Sequence, residues 1–385
     1  MDVNLRHLRV FLAVVEQASI TRAAELCFLS QPAVTQAIAK LERKLGLALF
    51  QRSAQGLFVS TAGELLAGRV RRAFDLLDRA MQDLAPRLKL TATTAQLRAL
   101  AAVRDAENFT LAARELGIAQ PTVHRAVGEL EKEAGRPLLD RTAYGMIANR
   151  YGEALADAAR LAFAELVQAD MELAEAGGRE SGRITIGALP LSRSHLLPAA
   201  IAAFRQTRPH LAIRVLDGPY ADLLTGLRRG DIDFLIGALR EPAPIGDVVQ
   251  QALFSDSLVI IARPGHPILK QHPVRLEDLA ACPWVVGPRG IPARNIFDRL
   301  FEPLGEGGPK SIVESGSLML MRQVLLASDH LGFISRLQAA AETRHGLVVE
   351  VPFAMPDTSR PIGITTRRDW LPTAAQKAFL DLLGA

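Results

Sequence analysis

The chain repeats itself, and no other feature constrains its fold so strongly. At an offset of about 89 residues, Thr21-Arg22-Ala23-Ala24 returns as Thr110-Leu111-Ala112-Ala113, and Gln31-Pro32-Ala33-Val34 returns as Gln120-Pro121-Thr122-Val123. The same register carries Leu41-Glu42 onto Leu130-Glu131, Gly46 onto Gly135, Arg52 onto Arg141, Gly56 onto Gly145 and Gly63-Glu64 onto Gly152-Glu153. About 60 positions align without a gap, and roughly a third of them are identical. Chance does not hold one register that long, so the first half contains two copies of one supersecondary unit.

Each copy reads as helix, helix, turn, helix and hairpin. In the first, Leu8, Phe11, Leu12, Val14 and Val15 recur at helical spacing and give one apolar face. Ser19 is placed to N-cap a second helix near Thr21, and Ser30 a third, with Pro32 in its first turn, where a missing N–H costs nothing. That third helix buries Val34, Ile38, Leu41 and Leu45 and stops at Gly46. Leu47 to Arg52 and Gly56 to Val59 form an apolar hairpin, a wing. From Glu64 to about Ala85 the stripe Leu65, Leu66, Val70, Phe74, Leu77, Met81 and Leu84 predicts a long linker or dimerisation helix.

The open face of the third helix carries Gln31, Ala33, Thr35, Gln36 and Lys40, side chains suited to base edges and phosphates. Residues 1–63 hold seven basic side chains (Arg6, Arg9, Arg22, Lys40, Arg43, Lys44, Arg52) against four acids (Asp2, Glu16, Glu25, Glu42), a modest excess that suits a polyanion. Taken together, Ser19 to Glu25, Ser30 to Thr35, Leu41 to Gly46, Leu49 to Arg52 and Thr61-Ala62-Gly63 resemble the DNA-binding region of LysR-type transcriptional regulators. Cys27 departs from the pattern by standing at a buried position that usually holds leucine. The resemblance implies that Gln31, Pro32, Thr35, Gln36 and Lys40 face the major groove and that Arg52 contacts the backbone; the plain alternative for each is a solvated helix face.

In the second copy the corresponding positions are Gln120, Pro121, Thr122, His124, Arg125 and, on the wing, Arg141. Here Glu129, Glu131 and Glu133 surround Lys132, which is unfavourable opposite phosphates. Two readings stay open: this module reads DNA weakly, or it serves as a built-in, non-reading dimerisation partner. Linker helices near 64–85 and 153–176 that paired within one chain would favour an operator with two unlike halves.

After Gly177-Gly178 strands and helices alternate: Arg183 to Gly187, a loop from Ala188 to Ser194, a helix from about His195 to Gln206, the strand Ala212 to Leu216, a helix from Tyr220 to Arg229 and the strand Ile232 to Gly237. Alternation predicts a mostly parallel α/β sheet with ligands at the C-terminal strand ends. Leu258 to Ala262 reads as a strand leading into a second lobe over about 266–335, with Trp284-Val285-Val286 and Leu331 to Ile334; a strand Leu347 to Val351 and a helix near Thr373 to Leu383 are expected to return to the first lobe. This order resembles the two-lobed, periplasmic-binding-protein-like (type 2) effector domain of LysR-type regulators, closest to those of sugar or aromatic-acid catabolism, with Gly230-Asp231-Ile232-Asp233 as the main local cue. By position the effector residues are Pro190, Ser192, Arg193, Ser194, Arg240, Arg289, Pro292, Arg294, Ser315 and Ser317. Arginines beside helix N-termini suit a carboxylate; singly, each arginine reads equally well as surface charge and each serine as a helix cap.

Catalytic patterns are missing: no G-x-S-x-G elbow, H-E-x-x-H helix, Walker loop or C-x-x-C pair occurs. His266 and His272 read as solvated surface. Cys27 and Cys282 share no metal-like spacing and read as reduced thiols, no stretch is apolar enough for a span, and no signal core opens the chain, so a cytoplasmic protein without cofactor or metal is expected. The expectation is a multidomain chain: two α-rich winged helix-turn-helix domains (1–63 and 91–152), linker helices (64–90 and 153–180) and a two-lobed α/β effector domain (181–385). Its expected role is transcriptional regulation, not catalysis, controlled by an anionic or sugar-like metabolite. Double-stranded DNA, the effector and further copies of itself, as dimer or tetramer, are the expected partners, with RNA polymerase a candidate and no membrane. A cytoplasmic solute-binding module and an enzyme on the two-lobed fold are the rival readings.

Overall fold

The computed structural model describes residues 4–53, 56–143, 145–243 and 245–384; the side chains of Arg52 and Ser53 lie outside that description. The chain divides into two compact units, one built essentially from residues up to Arg183 and one from residues from Ile184 onward.

The first unit opens with α1 (Leu5–Gln17), α2 (Ile20–Leu26) and α3 (Gln31–Leu45), followed by the hairpin β1 (Phe50–Ser53) and β2 (Gly56–Val59) and the long α4 (Thr61–Leu84). After the short α5 (Leu88–Thr91) the same order returns as α6 (Thr94–Ala106), α7 (Phe109–Leu116), α8 (Gln120–Ala134), β3 (Leu139–Thr142), β4 (Gly145–Ala148) and α9 (Arg150–Ala176). The starts and stops follow from single residues. Ser19 and Ser30 accept hydrogen bonds from the N–H groups of Arg22 and Ala33, and Gly46 and Gly135 end α3 and α8 at φ values of 69° and 71°, where a Cβ is costly. Cys27 is half-buried, not buried as its place in the motif suggests, and both cysteines are free thiols.

The repeat extends to its fine contacts. Glu42 accepts from the N–H groups of Leu49 and Phe50 at 2.8 and 3.3 Å; Glu131 accepts from Leu138 and Leu139 at 2.7 and 3.2 Å. Ser60 caps α4 and bonds the carbonyl of Ala48, as Asn149 caps α9 and bonds that of Pro137. A Cβ on Gly63 would lie 2.3 Å from the carbonyl oxygen of Leu49, and one on Gly152 2.1 Å from that of Leu138, so the long helices start against backbone that only glycine admits. Arg9 lies over the Phe74 ring and Arg98 over the Phe163 ring, one repeat apart. The copies differ at the head of α8, where Ala119 stands in the place of Ser30 and offers no cap, although its backbone (φ −69°, ψ 139°) matches that of Ser30 (φ −75°, ψ 152°). Ala119→Ser is therefore expected to raise the stability of the first unit by about 1 kcal/mol, read by denaturant unfolding.

One core runs through both copies. Leu8, Phe11, Val34 and Leu41 join Leu97, Leu100, Val123 and Leu130 through the packed long helices, which bury Leu66, Val70 and Leu77 of α4 with Leu155, Ala159 and Leu166 of α9. Each fully buried leucine contributes about 1.5–3 kcal/mol, so this seam is a main source of the unit's stability.

The second unit has two sheets. Its elements are β5 (Arg183–Ala188), α10 (Pro190–Ser194), α11 (Leu196–Thr207), β6 (Ala212–Leu216), α12 (Tyr220–Arg229), β7 (Phe234–Ala238), β8 (Val248–Asp256), β9 (Leu258–Ala262), α13 (Leu276–Ala280), β10 (Trp284–Val286), α14 (Pro292–Phe301), β11 (Ile312–Glu314), α15 (Leu318–Ala327), β12 (Leu331–Ser335), α16 (Arg336–Arg344), β13 (Val349–Glu350), β14 (Arg360–Arg367) and α17 (Ala374–Leu383). One sheet has the order β6-β5-β7-β14-β8 and the other β11-β10-β12-β9-β13. Each is mixed: β5 and β7 run parallel while β14 runs antiparallel to β7 and β8, and β10 runs parallel to β11 and β12 while β9 runs antiparallel to β12. Trp284, Phe297, Phe301 and Phe333 stack edge-to-face or tilted in the core of the second lobe.

Three expectations are corrected here. The strand around Val349 does not return to the first lobe; it pairs with β9 in the second, and β14 makes the return. The loop after β5 contains the short helix α10. His266 is not surface: it is buried, its Nδ1 accepts from the N–H of Ile268 at 3.0 Å, and its Nε2 lies 3.1 Å from the carbonyl of Asp329. Asp233 likewise is tied down, accepting from the N–H of Thr185 at 2.7 Å just before β7 begins.

Candidate nucleic-acid interface and candidate ligand cavity

Helix α3 presents Gln31, Pro32, Thr35, Gln36 and Lys40 as one exposed row, while Val34, Ala37, Ile38 and Leu41 are buried behind it. The row is rigid because the buried side belongs to the core and both helix ends are capped. Helix α8 presents Gln120, Pro121, Thr122, His124 and Arg125 in the same places, with Val123, Val127 and Leu130 buried. His124 packs against Phe109 with ring centroids 5.0 Å apart, which steadies its exposed imidazole. Arg52 lies on β1 opposite Leu57, its side chain outside the described ones; Arg141 lies on β3 opposite Met146 and is exposed.

The acidic character of α8 needs revision. Glu131 does not join a like-charged face, because its carboxylate is spent on the hairpin N–H groups as that of Glu42 is in the first copy. Glu133 lies 3.7 Å from Arg87. Glu129, at the position of Lys40, is the acid that stays on the exposed row.

In the second unit, Leu189, Ala238, Arg240 and Arg360 from the first lobe meet Gly287, Ile291, Pro292, Ser315, Ser317, Phe333, Ser335 and Gln338 from the second around a cavity of about 120 Å³. Its floor is apolar, and the N-termini of α14 and α15 border it, where free N–H groups favour negative charge. A wider groove continues past Arg193, Ser194, Tyr220 and Arg289.

The positions chosen from sequence divide three ways. Pro190, Arg240, Pro292, Ser315 and Ser317 line the cavity. Arg193, Ser194 and Arg289 line only the outer groove, where Arg193 pairs with Asp217 at 2.6 Å and Arg289 is 83% exposed. Ser192 and Arg294 are not among the lining residues. Ser192 is buried and donates to the carbonyls of Leu189 and Ile236; Arg294 is buried and bonded to Asp298, Glu314 and the carbonyl of Gly287, so both hold the fold. Ser317 also caps α15.

Sequence reading missed Tyr220, Arg360 and Gln338. Tyr220 opens α12 and lies under the Arg240 guanidinium, 4.5 Å from the ring centre; its hydroxyl is buried and has no hydrogen-bond partner among the described residues. Arg360 starts β14 and pairs with buried Asp256 at 3.4 Å, but its Nε has no partner among the described residues. Burial pushes the Arg240 guanidinium below its ordinary value; Tyr220 opposes that and the charge of Arg360 adds to it. Burial likewise lowers Arg360 against the pull of Asp256, and raises the Tyr220 hydroxyl. Arg240 and Arg360 thus bring two desolvated cations to the cavity against the one carboxylate of Asp256, an arrangement suited to an anion.

The comparisons with known proteins decide the family. A model described as the bacterial regulatory helix-turn-helix protein of the lysR family matches twice, over residues 5–64 and 94–153, and the LysR substrate binding domain matches residues 177–385. The chain belongs to the LysR family of bacterial transcriptional regulators. It is similar to the HTH-type transcriptional regulator GalR of Pseudomonas putida, at 35% identity covering 98% of this chain and 96% of that one, and to the uncharacterized HTH-type regulator YdcI of Escherichia coli, at 29% covering 95% and 90%. Among solved structures it resembles ArgP of Mycobacterium tuberculosis (TM-score 0.57, 20% identity, 75% of this chain and 94% of that one). It also resembles full-length OxyR of Pseudomonas aeruginosa (TM-score 0.54, 22% identity, 76% and 97%). The quarter of this LysR-type chain left uncovered is about as long as one repeat. As a LysR-type regulator it binds DNA and carries an effector-binding domain. No helix of the described residues is long and apolar enough to cross a membrane.

Proposed function

We propose that this LysR-type regulator acts in the cytoplasm and reads an operator of two unlike halves through two winged helix-turn-helix modules, 1–63 and 91–152, of one chain. The observation that carries the reading is one exposed helix row occurring twice with different side chains: Thr35, Gln36 and Lys40 on α3 against His124, Arg125 and Glu129 on α8. With Glu131 and Glu133 engaged elsewhere, α8 keeps an arginine suited to guanine and a carboxylate suited to the cytosine amine, which supports a reading role over a passive one. The periplasmic-binding-protein-like domain, 181–385, takes a small anionic metabolite, a carboxylate, at Arg240 and Arg360 with the N-termini of α14 and α15. Closure of its lobes then shifts the DNA-binding state, which requires the ligand to favour one state over the other.

The test is fluorescence anisotropy of the full chain on the intergenic DNA beside its own gene. Thr35→Ala with Gln36→Ala is expected to weaken binding by at least about 30-fold, following about 1–3 kcal/mol for each of two lost base contacts, and His124→Ala with Arg125→Ala by a comparable factor. An unchanged affinity for the second variant would make α8 a non-reading partner.

A further inference from the structure

We propose that α4 and α9 are exclusive partners, so that one chain supplies both halves of the DNA-binding unit and neither long helix pairs with its own copy in a second chain. The inference rests on the packing of the first unit alone and not on whether either module reads DNA.

Arg69 of α4 is 2% exposed and is held by α9: its Nη1 donates to Glu165 at 2.9 Å and Gln168 at 2.6 Å, its Nε and Nη2 to Glu172 at 3.0 and 2.6 Å. Arg72 donates to the other oxygen of Glu165 at 3.0 Å. Burial alone would lower the Arg69 guanidinium, and the bonds to Glu172 and Glu165 outweigh it.

The repeat shows what a like-with-like pairing would meet. Its register keeps most of the apolar row: Leu66 corresponds to Leu155, Ala73 to Ala162, Phe74 to Phe163, Leu77 to Leu166 and Leu84 to Leu173, while buried Val70 corresponds to Ala159 and buried Met81 to Asp170. Apolar burial therefore does not by itself rule out α4–α4 or α9–α9. The polar set does, because it is not repeated: Arg69 corresponds to Ala158, Glu165 to Leu76, Gln168 to Arg79 and Glu172 to Asp83. In an α4–α4 pair of this geometry, buried Arg69 would face a leucine, a second arginine and a shorter aspartate. In an α9–α9 pair, Glu165 and Glu172 would face Ala158 with no cation. Two-fold symmetry would impose each defect twice. A charge left buried without its partner is strongly unfavourable, and specificity between near-identical surfaces is set by such penalties. Covalent linkage of α4 to α9 through the second module then favours pairing within the chain over an exchange of α9 between chains.

The test uses the full-length chain carrying Arg72→Lys, a conservative change at a half-exposed position, which places an amine beside Glu165. Equal amounts of unlabelled and heavy-nitrogen-labelled protein are unfolded together, refolded and treated with a zero-length carbodiimide. Mass spectrometry of the peptide pair joining position 72 to Glu165 is expected to show only all-light and all-heavy species. Mixed species making up about half of the pairs, or joins between two copies of α4, would overturn the proposal. So would the absence of the join between position 72 and Glu165 while other cross-links form.

Discussion

Arg69→Ala is expected to destabilise the first unit by about 3–5 kcal/mol, because it leaves the largely buried carboxylate of Glu172 without its cation and the buried one of Glu165 with only the half-exposed Arg72. For a unit of this size that corresponds to a fall in Tm of roughly 10 °C. Replacing the three buried or largely buried charges by apolar side chains, Arg69→Met with Glu165→Leu and Glu172→Leu, removes them together, leaves only half-exposed Arg72 to solvent, and is expected to recover most of the loss. Calorimetry of the full chain checks both. Equal destabilisation of the single and triple variants would mean that the packing of the arginine stem, and not the stranded charge, sets the effect.

Arg240→Ala carries opposite signs in the free and ligand-bound protein. Its guanidinium is half-buried against Tyr220, has no carboxylate partner among the described residues and feels Arg360. Removing it relieves a desolvated charge, so the free second unit is expected to keep or slightly gain stability. Affinity for a small carboxylate is expected to fall at least about 30-fold, the equivalent of about 2 kcal/mol for losing one partner of a buried charge pair. Thermal-shift titration against a panel of mono- and dicarboxylates reads both quantities. A variant that loses stability but binds as before would assign Arg240 to the fold alone.

Local chemistry made much of this molecule legible. Ser19, Ser30 and Gly46 mark helix ends through single hydrogen bonds or a left-handed backbone, so α2 and α3 stand where those residues place them. Helix α12 runs from Tyr220 to Arg229 as its apolar spacing predicts. What escaped depends on tertiary partners. Strand β14 reads Arg-Pro-Ile-Gly-Ile-Thr-Thr-Arg, and its proline and glycine conceal a strand whose Gly363 is demanded by a carbonyl of β8 that a Cβ would meet at 2.0 Å. Arg360 was missed with it, and the cavity lost one of its two cations. Glu131 and Arg294 show the converse error: their residue types suit a DNA-repelling face and an anion site, but each is consumed by a partner distant in sequence or on a neighbouring element. Tyr220 gave no signal of its own, since its role arises only where Arg240 folds over it.

The central claim, that one chain brings two different reading modules to DNA, is tested most directly by a DNase footprint of the full chain on its own upstream region, with and without His124→Ala and Arg125→Ala. The account predicts two protected half-sites of different sequence, with protection of one of them selectively weakened in the variant. Two identical half-sites, both indifferent to the changes on α8, would contradict it.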